Sequence, residues 1–268
     1  MRLAAVALSV GVLACAPALR SRAPGTPPKG APVSPAPGDL AALLAEARAH
    51  LERRAQPGEA RQAEDLFLSA AGRDPRDVEG LYGAIQARIW RIDHEPGVDR
   101  RAMSASAVDA GQACLDRAPD SALCHYALAL ALGVQARERR ATAVDGLKKM
   151  VEHLRRAAQQ DPRLDEGGPD RVLALVLARA PAWPVGPGDA QGAVEAARQA
   201  VRLAPGYSPN QLALAEALLV AGQPADGRRA AELAVRLARA NAGDPEAEAW
   251  AEEGRALLHR ADASPNPG

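Results

Sequence analysis

Side chains able to do covalent or coordination chemistry are few in this 268-residue chain, and they do not cluster. The five histidines, at 50, 94, 125, 153 and 259, show no H-x-x-x-H spacing and no carboxylate at ligand spacing, and there is no C-x-x-C. A metal site is therefore not expected. Phosphate-loop, dinucleotide and G-x-S-x-G signatures are absent too. The richest glycine stretch is Gly186-Pro187-Gly188-Asp189, whose proline removes an amide donor that a phosphate cradle needs. Asp189 suits a helix cap instead. Glu152 or His153 has the chemistry of a general base, but no nucleophile stands near either. The chain is expected to be non-enzymatic and to hold no cofactor.

Three cysteines remain to be placed. Cys114 and Cys124 lie five residues before and five after Pro119. On antiparallel helices joined at that proline they face one another, and a disulfide then closes an 11-residue segment in an oxidising compartment. The alternative is two small buried thiols in alanine-like positions. Cys15 follows Arg2 and an apolar run from Leu3 to Leu13, the layout of a secretory signal and too short to span a bilayer. Val12-Leu13-Ala14-Cys15 resembles a bacterial lipobox, which makes Cys15 a lipidation site. Ordinary signal cleavage is the alternative, since Ala14-Cys15-Ala16 and Ala16-Pro17-Ala18 both fit an A-x-A rule. Cleavage after Ala16 sets Pro17 directly behind the cut, an unfavourable arrangement. Ala16 rather than Asp follows Cys15, and resemblance to other bacterial lipoproteins then implies an outer-membrane anchor facing the periplasm.

Residues 1–14 read as the signal peptide and 15–37 as the lipidated cysteine with a proline-rich tether, prolines falling at 17, 24, 27, 28, 32, 35 and 37. Such a chain is semi-rigid and reaches roughly 60–70 Å. Its Arg20, Arg22 and Lys29 are compatible with anionic head groups, but a solvated spacer is the better account of them.

The elements that carry the rest are helices. Basic and acidic residues balance at 33 each, and aromatic content is 3%, which excludes nucleic acid as a partner class. Hydrophobic residues make up 47%, much of it alanine, with little strand-like alternation, so the fold class is all-α. Leu40, Leu43, Leu44, Ala47 and Leu51 share one helical face before a break at Gln56-Pro57-Gly58. Prolines at 75, 119, 162, 205 and 245 then recur at spacings of 44, 43, 43 and 40. A fixed period holding one helix pair is the mark of an α-solenoid, here occupying residues 38–260. Asp77, Asp120, Asp189 and Ser208 stand where first-turn amides need a side-chain acceptor, and Pro169, Pro209 and Pro245 at or near first helical positions. Val144, Leu147, Val151 and Leu154 give the 140s helix its buried stripe. A last helix from Pro245 to Arg260 caps the stack, and 261–268 is a disordered tail.

Ala63, Phe67, Ala70 and Pro75, and later Ala193, Ala197, Ala200 and Pro205, match the second-helix pattern of tetratricopeptide repeats. The chain resembles that family with units enlarged from 34 to 43–44 residues, which implies a compact solenoid or bundle of four or five α-α hairpins. Gly167-Gly168-Pro169-Asp170-Arg171, Ala180-Pro181-Ala182-Trp183-Pro184, Gly188-Asp189 and Asn210 to Glu216 run in an order similar to the T component (TatT) of tetratricopeptide-repeat-associated TRAP transporters. That resemblance covers about residues 160–220 and implies a periplasmic lipoprotein that docks a solute-binding protein. The alternatives are an envelope scaffold unrelated to transport and a carrier of a small hydrophobic ligand. Candidate partner or ligand contacts are Trp183 with Pro181 and Pro184, and Arg171, Asn210 and Glu216. Trp183 is either an anchor or a ring folded over its own hairpin, Arg171 and Glu216 are a candidate pair across helices, and Tyr82 and Trp90 read as core.

Overall fold

A computed structural model describes residues 37–139 and 143–263. Cys15, the signal peptide, most of the tether and residues 264–268 lie outside the described residues. The described chain is all-α, in the order α1 (Pro37–Glu52), α2 (Glu59–Arg73), α3 (Glu79–His94), α4 (Arg100–Arg117), α5 (Ala122–Glu138) and α6 (Ala143–Gln160). A 3₁₀ turn at Leu164–Glu166 leads to α7 (Gly168–Arg179), α8 (Ala190–Leu203), α9 (Ser208–Val220), α10 (Pro224–Ala240) and α11 (Ala247–Ala263). Consecutive helices pair into five hairpins, and α11 lies against α10 and α9 as a cap.

The proline period sets the hairpin boundaries for a local reason. A residue before proline is sterically barred from the helical region. Asp74, Ala118 and Ala204 accordingly take φ/ψ of −123°/114°, −144°/82° and −141°/78°, and α2, α4 and α8 end there. Each second helix then packs on the next first helix, α2 on α3, α4 on α5, α6 on α7 and α8 on α9. The faces between them are ridged by alanine, with Ala63, Ala70, Ala193, Ala197 and Ala200 fully buried. Phe67 is buried among Ala63, Ala84 and Ala87, the arrangement expected of a repeat's aromatic knob. On α6 the buried stripe is Met150, Val151, Leu154 and Ala157; Val144 and Leu147 are half-buried.

Several end signals differ from expectation. Asp77 and Asp189 cap α3 and α8, accepting amides of Glu79 and Gly80 and of Gln191 and Gly192. At α5, however, the acceptor is Ser121 rather than Asp120, because the chain turns one residue later. Ser208 donates its hydroxyl proton to the Ala234 carbonyl, 2.9 Å away on α10, instead of capping α9. Pro245 precedes the first turn of α11, and that helix continues through a buried Ala261 to Ala263, past the expected end at Arg260.

The first helices of neighbouring units also touch, α1 with α3, α3 with α5, α7 with α9 and α9 with α11. The array is compact enough for its ends to meet. Arg54, in the turn after α1, reaches Glu246, just before α11, 192 residues away.

Candidate functional site

First-helix side chains line a groove along the inside of the array. Its inner cavity, about 350 Å³, is bounded by Leu51, Arg54, Trp90, Tyr126, Arg171 and Tyr207. A wider mouth of about 750 Å³ shares Arg54, Trp90, His94 and Glu246 with it. Tyr82 packs behind Tyr126 with ring centres 6.3 Å apart, and Trp250 meets Tyr207 edge-on at 5.7 Å. Three of the chain's seven aromatic side chains thus line this groove and two more pack behind them, so its walls are chemically unlike the alanine-rich remainder.

The groove floor is built on a short left-handed turn. Asp165, Glu166 and Gly167 have φ of 50°, 55° and 82°. Non-glycine residues rarely adopt this region, at a cost of about 1–3 kcal/mol each, and persist there only when neighbours over-determine them. Here every carbonyl of the turn has a donor. The Arg171 guanidinium donates to Asp165 O at 2.9 Å, the Asn210 amide to Glu166 O at 2.8 Å, and the Arg171 backbone amide to Gly167 O at 3.0 Å. Asn210 also donates to the carbonyls of Ala200 and Ala204, so one buried amide joins the turn to α8 and α9.

That turn aims the Asp165 carboxylate at the groove, where Oδ2 accepts from Tyr126 Oη and Arg171 Nη2, both at 2.6 Å. Gly168 makes the approach sterically feasible: a Cβ there would stand 2.5 Å from Tyr126 Oη and 2.7 Å from Asp165 Oδ2. The Arg171 guanidinium also lies over the Tyr207 ring, 5.1 Å from its centre. Burial, with the Asp165 charge second, drives the Tyr126 hydroxyl well above the usual tyrosine range. Burial likewise pushes Tyr207 up to about 12, against the pull of Arg171. For Arg171, burial disfavours the charge, but Tyr126, Asp165 and Tyr207 more than compensate and its pKa is raised. The floor is one fixed cation–carboxylate pair, hydrogen-bonded to the neutral Tyr126 phenol and stacked on the Tyr207 ring.

At the mouth a second arginine meets the same chemistry. Arg54 donates to Glu246 at 3.1 Å, sits 3.8 Å from Asp244, and covers the Trp90 ring at 4.9 Å. Trp90 is also stacked by His94, with centres 3.6 Å apart. Around the rim, Arg137 pairs with Asp93 and Arg91 with Glu95, both at 2.8 Å.

The sequence-derived candidates separate into three places. Arg171 and Asn210 come together in the floor, but the expected Arg171–Glu216 pair does not form. Arg171 turns to Asp165, while Glu216 takes Arg179 in a two-pronged pair at 2.5–3.0 Å, because it projects from α9 toward the end of α7. Trp183, Pro181 and Pro184 form an outward knuckle after α7, with a cis Trp183–Pro184 peptide. Trp183 is 85% exposed and does not fold over its hairpin. The loop's own bonds, Gly188 N to Pro181 O at 2.8 Å and Asp189 N to Leu177 O at 2.9 Å, hold it outward. Cys114 and Cys124 are joined by a disulfide with Cα atoms 5.2 Å apart. His125 and His153, distant in sequence, meet across α5 and α6. Among the described residues no group of three potential metal ligands converges.

Trp90, Tyr126 and Tyr207 were not foreseen as a groove lining, whereas Tyr82, read as core, packs behind Tyr126. The signal was the 44-residue spacing of Tyr82 and Tyr126, which equals the repeat and puts both at one register of the first helix.

No protein-family model matches the chain, and no curated protein matches it. Solved structures do. The thermophilic TPR protein TTC0263 of Thermus thermophilus superposes with a TM-score of 0.61 at 19% identity, covering 81% of this chain and 99% of that one. The fold is that of a tetratricopeptide-repeat protein. MamA follows with a TM-score of 0.46 at 15% identity over 76% of this chain and 93% of its own. YrrB, described as a TPR protein with an unusual peptide-binding site, has 0.44 at 14% over 72% and 84%. The helix hairpins are longer here than the 34-residue tetratricopeptide unit, yet α2 has a similar small-aromatic-small face.

Proposed function

We propose that this chain is a non-catalytic scaffold whose groove receives an extended segment of a protein partner. The observation that carries this is a concave surface lined by Trp90, Tyr126 and Tyr207, three of the chain's seven aromatic side chains, over a rigid, polar floor. Rigid aromatic surface beside fixed hydrogen-bonding groups is the make-up of a binding hot spot. The non-catalytic reading rests on the pairing of the groove's charged groups: Asp165 serves Arg171, Glu246 serves Arg54, and Asp93 serves Arg137. The exposed Trp183 and Val185 supply a second anchor outside the groove.

The finer form of the proposal is a lipid-anchored, periplasm-facing scaffold, the T component of a TRAP-type uptake system, docking a solute-binding protein. It is supported by the lipobox-like Val12-Leu13-Ala14-Cys15 and by the order of motifs across residues 160–220. A photo-crosslinking side chain at Ile89 in the groove, or at Val220 outside it, tests both levels. Recovery of a defined partner from Ile89 alone supports the scaffold, and a solute-binding protein in that band supports the transport role. Equal labelling from both positions sinks the groove as the binding surface. Cys15→Ser should abolish metabolic labelling by palmitate; retained labelling removes the anchor.

An apolar recess of about 360 Å³ between α5, α6 and α7, lined by Leu147, Met150, Val172, Leu175, Val176 and Pro181, favours a second reading as a carrier of a small hydrophobic ligand. Native mass spectrometry of gently purified protein tests it, and a ligand-free mass counts against it.

A further inference from the structure

We infer that the mouth of the groove is a recognition box for an arginine of the partner, and that Arg54 occupies it in cis. This rests on the groove being the binding surface and specifies the chemistry it selects. The box has three walls: the Trp90 ring, Glu246 and Asp244. The chain itself shows what fits, since the Arg54 guanidinium lies 4.9 Å over the indole and bonds Glu246 at 3.1 Å, with Asp244 3.8 Å away. A planar guanidinium combines stacking with directed donation to carboxylates, which an ammonium does not.

Two features distinguish Arg54 from the structural cation deeper in the same groove. Arg171 sits in an equivalent aromatic–carboxylate box of Tyr207 and Asp165, but Asn210 and two further bonds of its own guanidinium lock it into the floor. Arg54 comes from the short turn between α1 and α2. Besides the box, its guanidinium has only a long 3.4 Å bond, to the Leu51 carbonyl of its own helix end. It stands at the mouth, where the cavity is widest. When Arg54 swings out, the Glu246 carboxylate and an indole face are turned to that space, with Asp244, whose Oδ1 accepts the Glu246 amide, close behind, and the local charge is negative. A guanidinium arriving on an extended partner segment restores both the stacking and the ion pairs. The exchange is one arginine for another, so the internal residue lowers affinity without altering selectivity, as any occupied binding-competent state must. Because Arg54 also ties the first hairpin to the approach of α11, partner entry releases that tie.

The test is calorimetric titration of the full chain with three capped pentapeptides that differ only in a central arginine, glutamate or leucine. Arg54→Met keeps an apolar stem against Trp90 and removes the donors. The arginine peptide is expected to bind this variant about tenfold or more tighter than it binds the unaltered chain. Adding Glu246→Gln is expected to erase the gain, and the glutamate peptide to bind neither. Equal affinity of the arginine peptide for the unaltered and Arg54→Met chains overturns the inference. Tight, Trp90-dependent binding of the leucine peptide also overturns it, while leaving the groove as the binding surface. Should Arg54→Met melt early, Arg54→Lys serves, since it keeps the charge and loses the fork; the same ranking with a smaller gain is then expected, and no gain refutes the box.

Discussion

The Nδ1 atoms of His125 on α5 and His153 on α6 stand 2.9 Å apart, with their rings stacked at 5.1 Å. At that distance one Nδ1 donates and the other accepts, so a single proton sits between them and the two Nδ1 atoms cannot both be protonated. Burial pulls both pKa values below the ordinary histidine range; Arg156 adds to this at His125, and His125 itself, Arg156 and Lys149 at His153. Asp120 and Glu152 oppose it at His125, and Glu152 at His153, without reversing it.

Acidification should therefore destabilise the α5–α6 hairpin. With folded-state values below the unfolded value near 6.5, the unfolded chain binds more protons on the acid side, and stability rises with pH through that window. The contribution is complete above about pH 6.5 and is lost as pH falls through the lowered folded values. Tm measured by circular dichroism should drop by a few degrees between pH 7.5 and 5.5. His153→Gln should flatten the profile; an unchanged pH slope in that variant refutes the assignment.

The Cys114–Cys124 bridge closes an 11-residue segment around Pro119. In the chain-entropy model this is worth about 2.5–3 kcal/mol. Reduction should lower the urea midpoint by a corresponding amount. The Cys114→Ala/Cys124→Ala chain should show the same lower midpoint with and without reductant.

Gly168→Ala should be costly although it adds one methyl group. Its Cβ would lie within 2.5–2.7 Å of Tyr126 Oη and Asp165 Oδ2, so the hydrogen bond that carries the groove floor must open. Overpacking of this kind costs about 1–3 kcal/mol, readable by urea denaturation. Asn210→Ala should cost about 2–3 kcal/mol, because it strips a donor from three carbonyls. Wild-type stability in either variant would contradict the over-determined turn.

Trp183→Ala should leave folding stability within about 0.5 kcal/mol, since an 85% exposed side chain loses little packing. The same substitution should weaken capture of a partner that uses the knuckle. A fall in Tm with capture intact would mean the ring packs in solution.

Features governed by neighbours along the chain were legible in the residues alone. The prolines at 75, 119 and 205 end helices because each forces the preceding residue into extended backbone, and that requirement is local. The buried face of Ala63, Phe67 and Ala70 follows from helical periodicity in the same way. Which side chains meet across units was settled only by packing in three dimensions. Arg171 and Glu216 have complementary charge, yet the left-handed turn at Asp165 offers Arg171 a nearer carboxylate and the register of α9 delivers Glu216 to Arg179. Trp90 reads as a core residue along its own helix, but the first helices turn that face toward a groove. Arg54 and Glu246 meet only because the packed array brings its first turn and its last helix together. Their separation of 192 residues puts the pair beyond any pattern readable within one repeat, since each repeat specifies only its contacts with the next.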